Sequence, residues 1–215
     1  MLDDKQLKQE VLNELTWDPR VNVAHIGVTA KAGVVTLTGH VEKYADKLAA
    51  ENAVRRVKGV NAIAEEMEVR LPFDVRHDDQ QIAANAINRL KLDASLPSDA
   101  ITVKVEKGWV TLMGEVDWRY QYDAAAAEIG GLWGVIGVSN QISLRAGARS
   151  SDIESDINTA LHRSWFKPMN VNVAVNGGGV ILSGSVNGWS EREQAELTAW
   201  AAPGVTSETN NIHVH

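Results

Sequence analysis

The heptapeptide VTLTGHV at 35–41 returns as VTLMGEV at 110–116 and as VILSGSV at 180–186. No other feature narrows the possible folds as much, because a strand spelled three times at regular spacing announces one small unit built three times. Around the anchors Gly39, Gly114 and Gly184, a Gly-Val pair follows twenty residues later, at Gly59-Val60, Gly134-Val135 and Gly204-Val205. A further glycine precedes each anchor by six residues, at Gly33, Gly108 and Gly178. These offsets divide the chain into three units, 1–72, 76–146 and 149–215, joined by the short segments LPFDVRHD and AGARSS.

Each unit opens with apolar residues at helical spacing: Leu7, Val11, Leu12 and Leu15; Ile82, Ala86, Ile87 and Leu90; Ile153, Ile157 and Leu161. Spacings of three and four put them on one buried helical face. Asp3-Asp4, Asp78-Asp79 and Ser151-Asp152 stand just upstream, where caps and dipole partners belong. Alternation through Ile26, Val28 and Ala30, and its counterparts from Ile101 and Val171, predicts a first strand. A glycine turn and the repeated heptapeptide complete a hairpin. Ala50, Val54 and Val57, Ala125, Ile129 and Leu132, and Ala195, Ala199 and Ala202 predict a second helix, ended by the Gly-Val pair. A last strand alternates through Met67 and Val69, Ile142 and Leu144, Ile212 and Val214.

The predicted class is therefore α+β: three tandem αββαβ units, each a three-stranded mixed sheet with two helices on one face. The helix between second and third strands is long enough for a parallel crossover, and the third strand is free to lie beside either of the others. Gly39, Gly114 and Gly184 fall in the inward row of the second strand, where glycine costs strand propensity and needs a local reason. A helix backbone passing close by, or a bulge, would supply one. Gly59, Gly134 and Gly204 are expected as structural glycines at helix ends.

At this resolution of pattern the chain resembles the BON domain, named for bacterial osmotically inducible and nodulation proteins. The residues that carry the resemblance are the Val-x-Leu-x-Gly-x-Val strand, a charged helix start (Asp46-Lys47, Glu191-Arg192), the later Gly-Val pair, and Asn140 and Asn210 six residues beyond its glycine. The first unit departs with Glu65 in place of that asparagine, the second with Gln121-Tyr122 in place of the charged pair. The likeness covers nearly the whole chain as three copies and is similar to the OsmY-like osmotic-stress proteins. It implies a non-enzymatic, transport-associated binding module that contacts phospholipid membranes or envelope proteins, usually in the periplasm.

Composition closes other routes. With no cysteine, disulfides and thiolate chemistry are excluded. A net charge of −7 repels polyanions at long range, so no nucleic-acid partner is expected. No run reaches the roughly 18 apolar residues of a membrane span, so no transmembrane segment is expected. The opening MLDDKQLKQE is acidic where a secretory leader is basic and then apolar. The expected compartment is the cytoplasm as written, or the periplasm if a leader has been removed.

No nucleophile elbow, phosphate loop or recurrent carboxylate pair is present, so no catalytic residue and no cofactor is expected. His213 and His215 alternate on one strand face, but two ligands make no metal site. Lys43, Lys47, Arg55, Arg56 and Lys58 cluster along the second helix of the first unit and are candidates for lipid headgroups. Tyr44, Trp118 and Trp189 mark the start of each second helix and are candidates for an interface. Trp109 and Met113 face away from the helices of their own unit and are candidates for an inter-domain contact. The expected partner is a phospholipid surface, or alternatively a protein with no lipid involved.

Overall fold

The computed structural model describes residues 3–72, 78–97, 99–145, 150–163 and 170–214. The first repeat contains α1 (Asp4–Trp17), β1 (Ile26–Lys31), β2 (Val34–Val41), α2 (Tyr44–Arg55) and β3 (Ala62–Val69). The second contains α3 (Asp79–Leu92), β4 (Ile101–Glu106), β5 (Trp109–Val116), α4 (Arg119–Gly130) and β6 (Gly137–Leu144). The third contains α5 (Ser150–Arg163), β7 (Val171–Asn176), β8 (Gly179–Val186), α6 (Trp189–Trp200) and β9 (Ser207–Val214). The expected α+β class and the order αββαβ hold in all three.

Every sheet runs first–second–third strand, with the heptapeptide strand in the middle. The first pair is antiparallel and the second parallel, as the registers Val28↔Leu37 and Leu37↔Glu65 show in the first repeat and Val173↔Leu182 and Leu182↔Asn210 in the third. The third strand therefore settles beside the second, a choice the pattern left open. One bond starts this pairing in each copy: the amides of Asn61, Ile136 and Thr206 donate to the carbonyls of Gly33, Gly108 and Gly178, at 2.8, 3.0 and 2.8 Å.

Helix starts and hairpin tips are tied together. Asp3 accepts from the Gln6 amide at 2.7 Å while the Gln6 side chain accepts from the Asp3 amide, a capping box. The next residue works elsewhere: Asp4 accepts from the Ala32 amide at 2.9 Å, and Asp79 takes those of Lys107 and Gly108 at 2.7 and 2.8 Å. Both residues of each of these two-residue turns have positive φ, 50° and 80° in one, 52° and 79° in the other. That backbone matches the twist of the flanking strands.

In the first repeat Leu7, Val11 and Leu15 of α1, Ala50 and Val54 of α2, and Val28, Val35, Leu37 and Met67 of the sheet form one buried core. The third repeat rebuilds it from Ile153, Ile157, Leu161, Ala195, Ala199, Val180, Leu182 and Ile212. Packing divides the chain into two compact units, Met1–Leu92 with Val103–Thr111 and Ala127–Ser139 in the first, and Asp93–Thr102, Leu112–Ala126 and Asn140–His215 in the second. Ile87, placed on the buried helical face by its spacing, is instead 43% exposed. Its neighbour Ala86 takes the inward place, since two adjacent residues lie about 100° apart around a helix.

The central glycines have φ of 110°, 136° and 119° at Gly39, Gly114 and Gly184. A Cβ there would lie 2.0, 2.0 and 1.7 Å from the carbonyl oxygens of His25, Ala100 and Asn170. The crowding backbone is thus the residue just before the neighbouring strand, and belongs to none of the α-helices. Gly59, with φ of 97°, sits four residues past the end of α2. It serves the turn closed by the Val60 amide on the Val57 carbonyl at 3.3 Å rather than the helix cap, which is Arg56. Gly134 and Gly204 occupy the corresponding turns, with φ of 89° and 87°.

Candidate interaction surfaces

The residues that carry the sequence resemblance hold the fold together. In the second and third repeats the first member of the pair bonds the backbone at the start of the second helix. Glu191 accepts from the Asn187 amide at 2.9 Å, and Gln121 accepts from the amides of Asp117 and Trp118, both at 3.1 Å. The second member latches that helix to the third strand. Lys47 donates to the Met67 carbonyl at 2.9 Å, Tyr122 to that of Asn140 at 3.3 Å, and Arg192 to those of Ile212 and Asn210 at 3.2 and 3.0 Å. Asn140 and Asn210 each accept from the amide two residues on, at 3.2 Å, and Glu65 accepts from the Met67 amide in the same way at 2.6 Å. The departures at Glu65 and Gln121-Tyr122 therefore keep the bonding pattern with other side chains.

Four of the five clustered cations have partners inside the chain. Lys47 pairs with Glu65 at 2.6 Å, and Arg55 with Glu51, one turn back, at 2.5 Å. Arg56 bridges to α1, reaching Glu14 at 2.8 Å and Asp18 at 3.2 Å. Asp18 is buried and also takes both the side chain and the amide of Arg20, whose hydrogen bonds hold its carboxyl well below the usual carboxylate range. Lys43 lies with its Nζ 4.3 Å from the centroid of the Trp133 ring, while Lys58 is exposed.

The aromatic candidates mark a contact made twice, where the start of one repeat's second helix meets the end of the next repeat's second helix. At the first junction a Cβ built on Gly130 would lie 3.5 Å from Leu48 and 3.7 Å from the ring of Tyr44, so both rest on the bare glycine. The Tyr44 hydroxyl lies beside the Val138 backbone on edge strand β6, and its pKa is raised mainly by burial. At the second junction Arg119 occupies the place of Tyr44 (44 + 75 = 119) and Trp200 that of Gly130 (130 + 70 = 200). The Arg119 guanidinium stands 4.3 Å from the Trp200 centroid. Trp118, Tyr120, Asp123, Leu197 and Ala201 share the surrounding cleft of about 480 Å³.

Glu208, in the place of Val138 (138 + 70 = 208), completes the second junction. Burial and the nearby Glu196 push its carboxyl up to about 7, against the opposing pull of Arg192 and Arg119. Its Oε1 is buried without a hydrogen-bond partner among the described residues. The third helix start, Trp189, is 46% exposed and carries Arg192 5.3 Å from its ring centroid. Sequence reasoning missed Trp133, Gly130, Trp200 and Glu208, although their equivalence across repeats could have grouped them.

On the outer sheet face, Val34, Trp109 and Ile181 are exposed. A Cβ on Gly137 would fall 2.4 Å from the Trp109 ring, so the indole covers the glycine of the strand beside it in its own sheet. Met113 is half-buried. Trp17 and Leu92, equivalent positions at the ends of α1 and α3 (17 + 75 = 92), are 83% and 82% exposed. Among the described residues no group of three His, Asp or Glu is arranged to hold a metal, and no helix is long and apolar enough to cross a membrane. His77 and His215 lie outside the described residues.

Comparison with known proteins agrees with the repeat. The osmotically inducible protein Y of Escherichia coli is 26% identical over 151 residues, spanning 67% of this chain and 74% of that protein. Two structures of CdsD, a structural protein of the type III secretion system of Chlamydia trachomatis, align over 96% and 100% of this chain and 91% and 100% of theirs, at 15% and 16% identity. Their TM-scores of 0.28 are too low to bear on the fold. The BON domain family model matches residues 3–70, 78–146 and 149–215. With a signature in every repeat and latches that rebuild the same bonds from different side chains, the chain belongs to the BON family as three tandem BON domains.

Proposed function

We propose that this chain is a non-enzymatic BON binding protein, associated with osmotic stress, that works through contacts with other proteins. The osmotic association is supported by the E. coli relative that its name describes as osmotically inducible. Membership of the BON family supports a role without catalysis.

One observation carries the choice of protein over lipid. Lys43, Lys47, Arg55 and Arg56 are engaged by Trp133, Glu65, Glu51, Glu14 and Asp18. A headgroup would have to compete with carboxylates already in place, which offsets the roughly 1 kcal/mol that a free cation gains near an anionic surface. Aromatic side chains, by contrast, already make protein contacts at both junctions.

A phospholipid reading has one specific support of its own. Trp17 and Leu92 stand almost fully exposed at the ends of the first helices of two repeats, and such side chains seat well at a membrane–water interface.

Co-sedimentation of the full chain with phosphatidylglycerol-containing vesicles and with phosphatidylcholine vesicles, at low and moderate salt, separates these readings. Protein in the supernatant throughout is the expected result. Pelleting with anionic vesicles that salt reverses would overturn it in favour of the basic helix. Pelleting that resists salt and is lost in Trp17→Ala would overturn it in favour of the exposed apolar anchors.

A further inference from the structure

The two junctions follow one rule. The first residue of a repeat's second helix meets the last turn of the second helix in the repeat after it, at Tyr44 on Gly130 and at Arg119 beside Trp200. Such a contact is heterologous: it uses two different faces, so three repeats joined by two contacts leave one face of each kind unused. The unused helix start is Trp189 (119 + 70 = 189) and the unused helix end is Arg55 (55 + 75 = 130). Neither is covered, Trp189 being 46% and the Arg55 side chain 65% exposed.

The leftover pair is chemically matched. The second junction sets a cation at the helix start against an aromatic ring at the helix end. Trp189 and Arg55 present the same two groups with the places exchanged. Glu51 holds the Arg55 guanidinium at 2.5 Å on an exposed helix face, which leaves its flat surface available to stack on an indole. Beside it runs β3, an edge strand like β6, whose Val138 backbone lies next to the Tyr44 hydroxyl at the first junction. Ile63 is the corresponding residue on β3 (63 + 75 = 138).

We propose that the occupant of these faces is a second copy of this chain, with Trp189 of one copy seated against Arg55 and the β3 edge of the next. The proposal rests on the protein-contact reading above and names one partner for it. Because the contact is heterologous, each copy keeps a free face of the other kind, and association continues until a ring closes or the supply of chains ends.

Sedimentation velocity of the full chain tests it. The expected result is a weight-average sedimentation coefficient that rises between about 10 µM and 1 mM, the range of weak contacts worth roughly 4–7 kcal/mol. Trp189→Ala and Arg55→Ala, both at exposed helix positions, are each expected to stay monomeric throughout. An equimolar mixture of the two restores one intact pair, since the first keeps the helix end and the second keeps the helix start. The mixture is expected to form a dimer and nothing larger. A wild-type chain that stays monomeric, single variants that associate like the wild type, or a mixture that does not dimerise would each overturn the proposal. None of these outcomes changes the vesicle result, so the broader protein-contact reading stands or falls separately.

Discussion

The guanidinium of Arg119 stacks on the indole of Trp200 at 4.3 Å, joining the second repeat to the third through the ends of their second helices. Asp123 accepts from the Arg119 Nε at 3.0 Å and holds it in place. Arg119 also lies 4.8 Å from the Tyr122 centroid, so one cation is shared by two rings. A cation over an aromatic face at a partly exposed site contributes about 0.5–1 kcal/mol.

A double-mutant cycle should recover that coupling. Arg119→Ala and Trp200→Ala are each expected to destabilise the chain, and the pair together by about 0.5–1 kcal/mol less than the sum of the two. Denaturant unfolding of the four proteins measures it. Strict additivity would show that the stacked pair contributes nothing beyond burial.

The heptapeptide glycine carries a sharper expectation. At Gly184 a side chain meets both a φ of 119° and the Asn170 carbonyl at 1.7 Å. Gly177 also has positive φ, 61°, but among the described residues nothing lies within 4 Å of its would-be Cβ. Gly177→Ala should cost only the left-handed backbone term of about 1–2 kcal/mol. Gly184→Ala adds a backbone clash that moves the start of β7, and should cost more than about 3 kcal/mol. Thermal or urea unfolding of the two variants decides it; equal costs would mean that conformation alone explains the conserved spacing of the three anchors within this chain.

The repeat made the fold legible, because three copies of the same offsets test each reading against the other two. Val35, Leu37 and Val41 are buried where alternation puts them, and so are their counterparts. The place of the third strand was not legible, since a crossover helix reaches either side of a hairpin. Nor were the ion pairs of the basic cluster: Arg56 finds Glu14 and Asp18, 42 and 38 residues away, and only the packing of α2 against α1 brings them together. The junctions were hidden for another reason. Equivalent positions carry unlike residues, Tyr44, Arg119 and Trp189 on one side and Arg55, Gly130 and Trp200 on the other. The face is repeated in space while its chemistry is rewritten at each use, so a search for recurring residue types passes over it.

Glu208 makes the second junction sensitive to pH. Its carboxyl is pushed from 4.5 up to about 7, chiefly by burial and by Glu196, with Arg192 and Arg119 opposing. A group whose folded pKa is raised favours folding fully below its unfolded pKa, and that contribution is lost as pH rises through the folded value. The chain should therefore lose stability between pH 4.5 and about 7 from this residue, where most carboxylates do the opposite. One pKa unit corresponds to about 1.4 kcal/mol, and solvent screening of a half-buried group reduces the whole effect to about 1 kcal/mol. Glu208→Gln keeps the shape and removes the charge. Relative to the wild type it should gain about 1 kcal/mol at pH 8 and nothing at pH 4, measured by urea unfolding at both values. A gain that is the same at the two pH values would place the effect in packing, and no gain at pH 8 would mean that Arg119 and Arg192 compensate the buried charge in full.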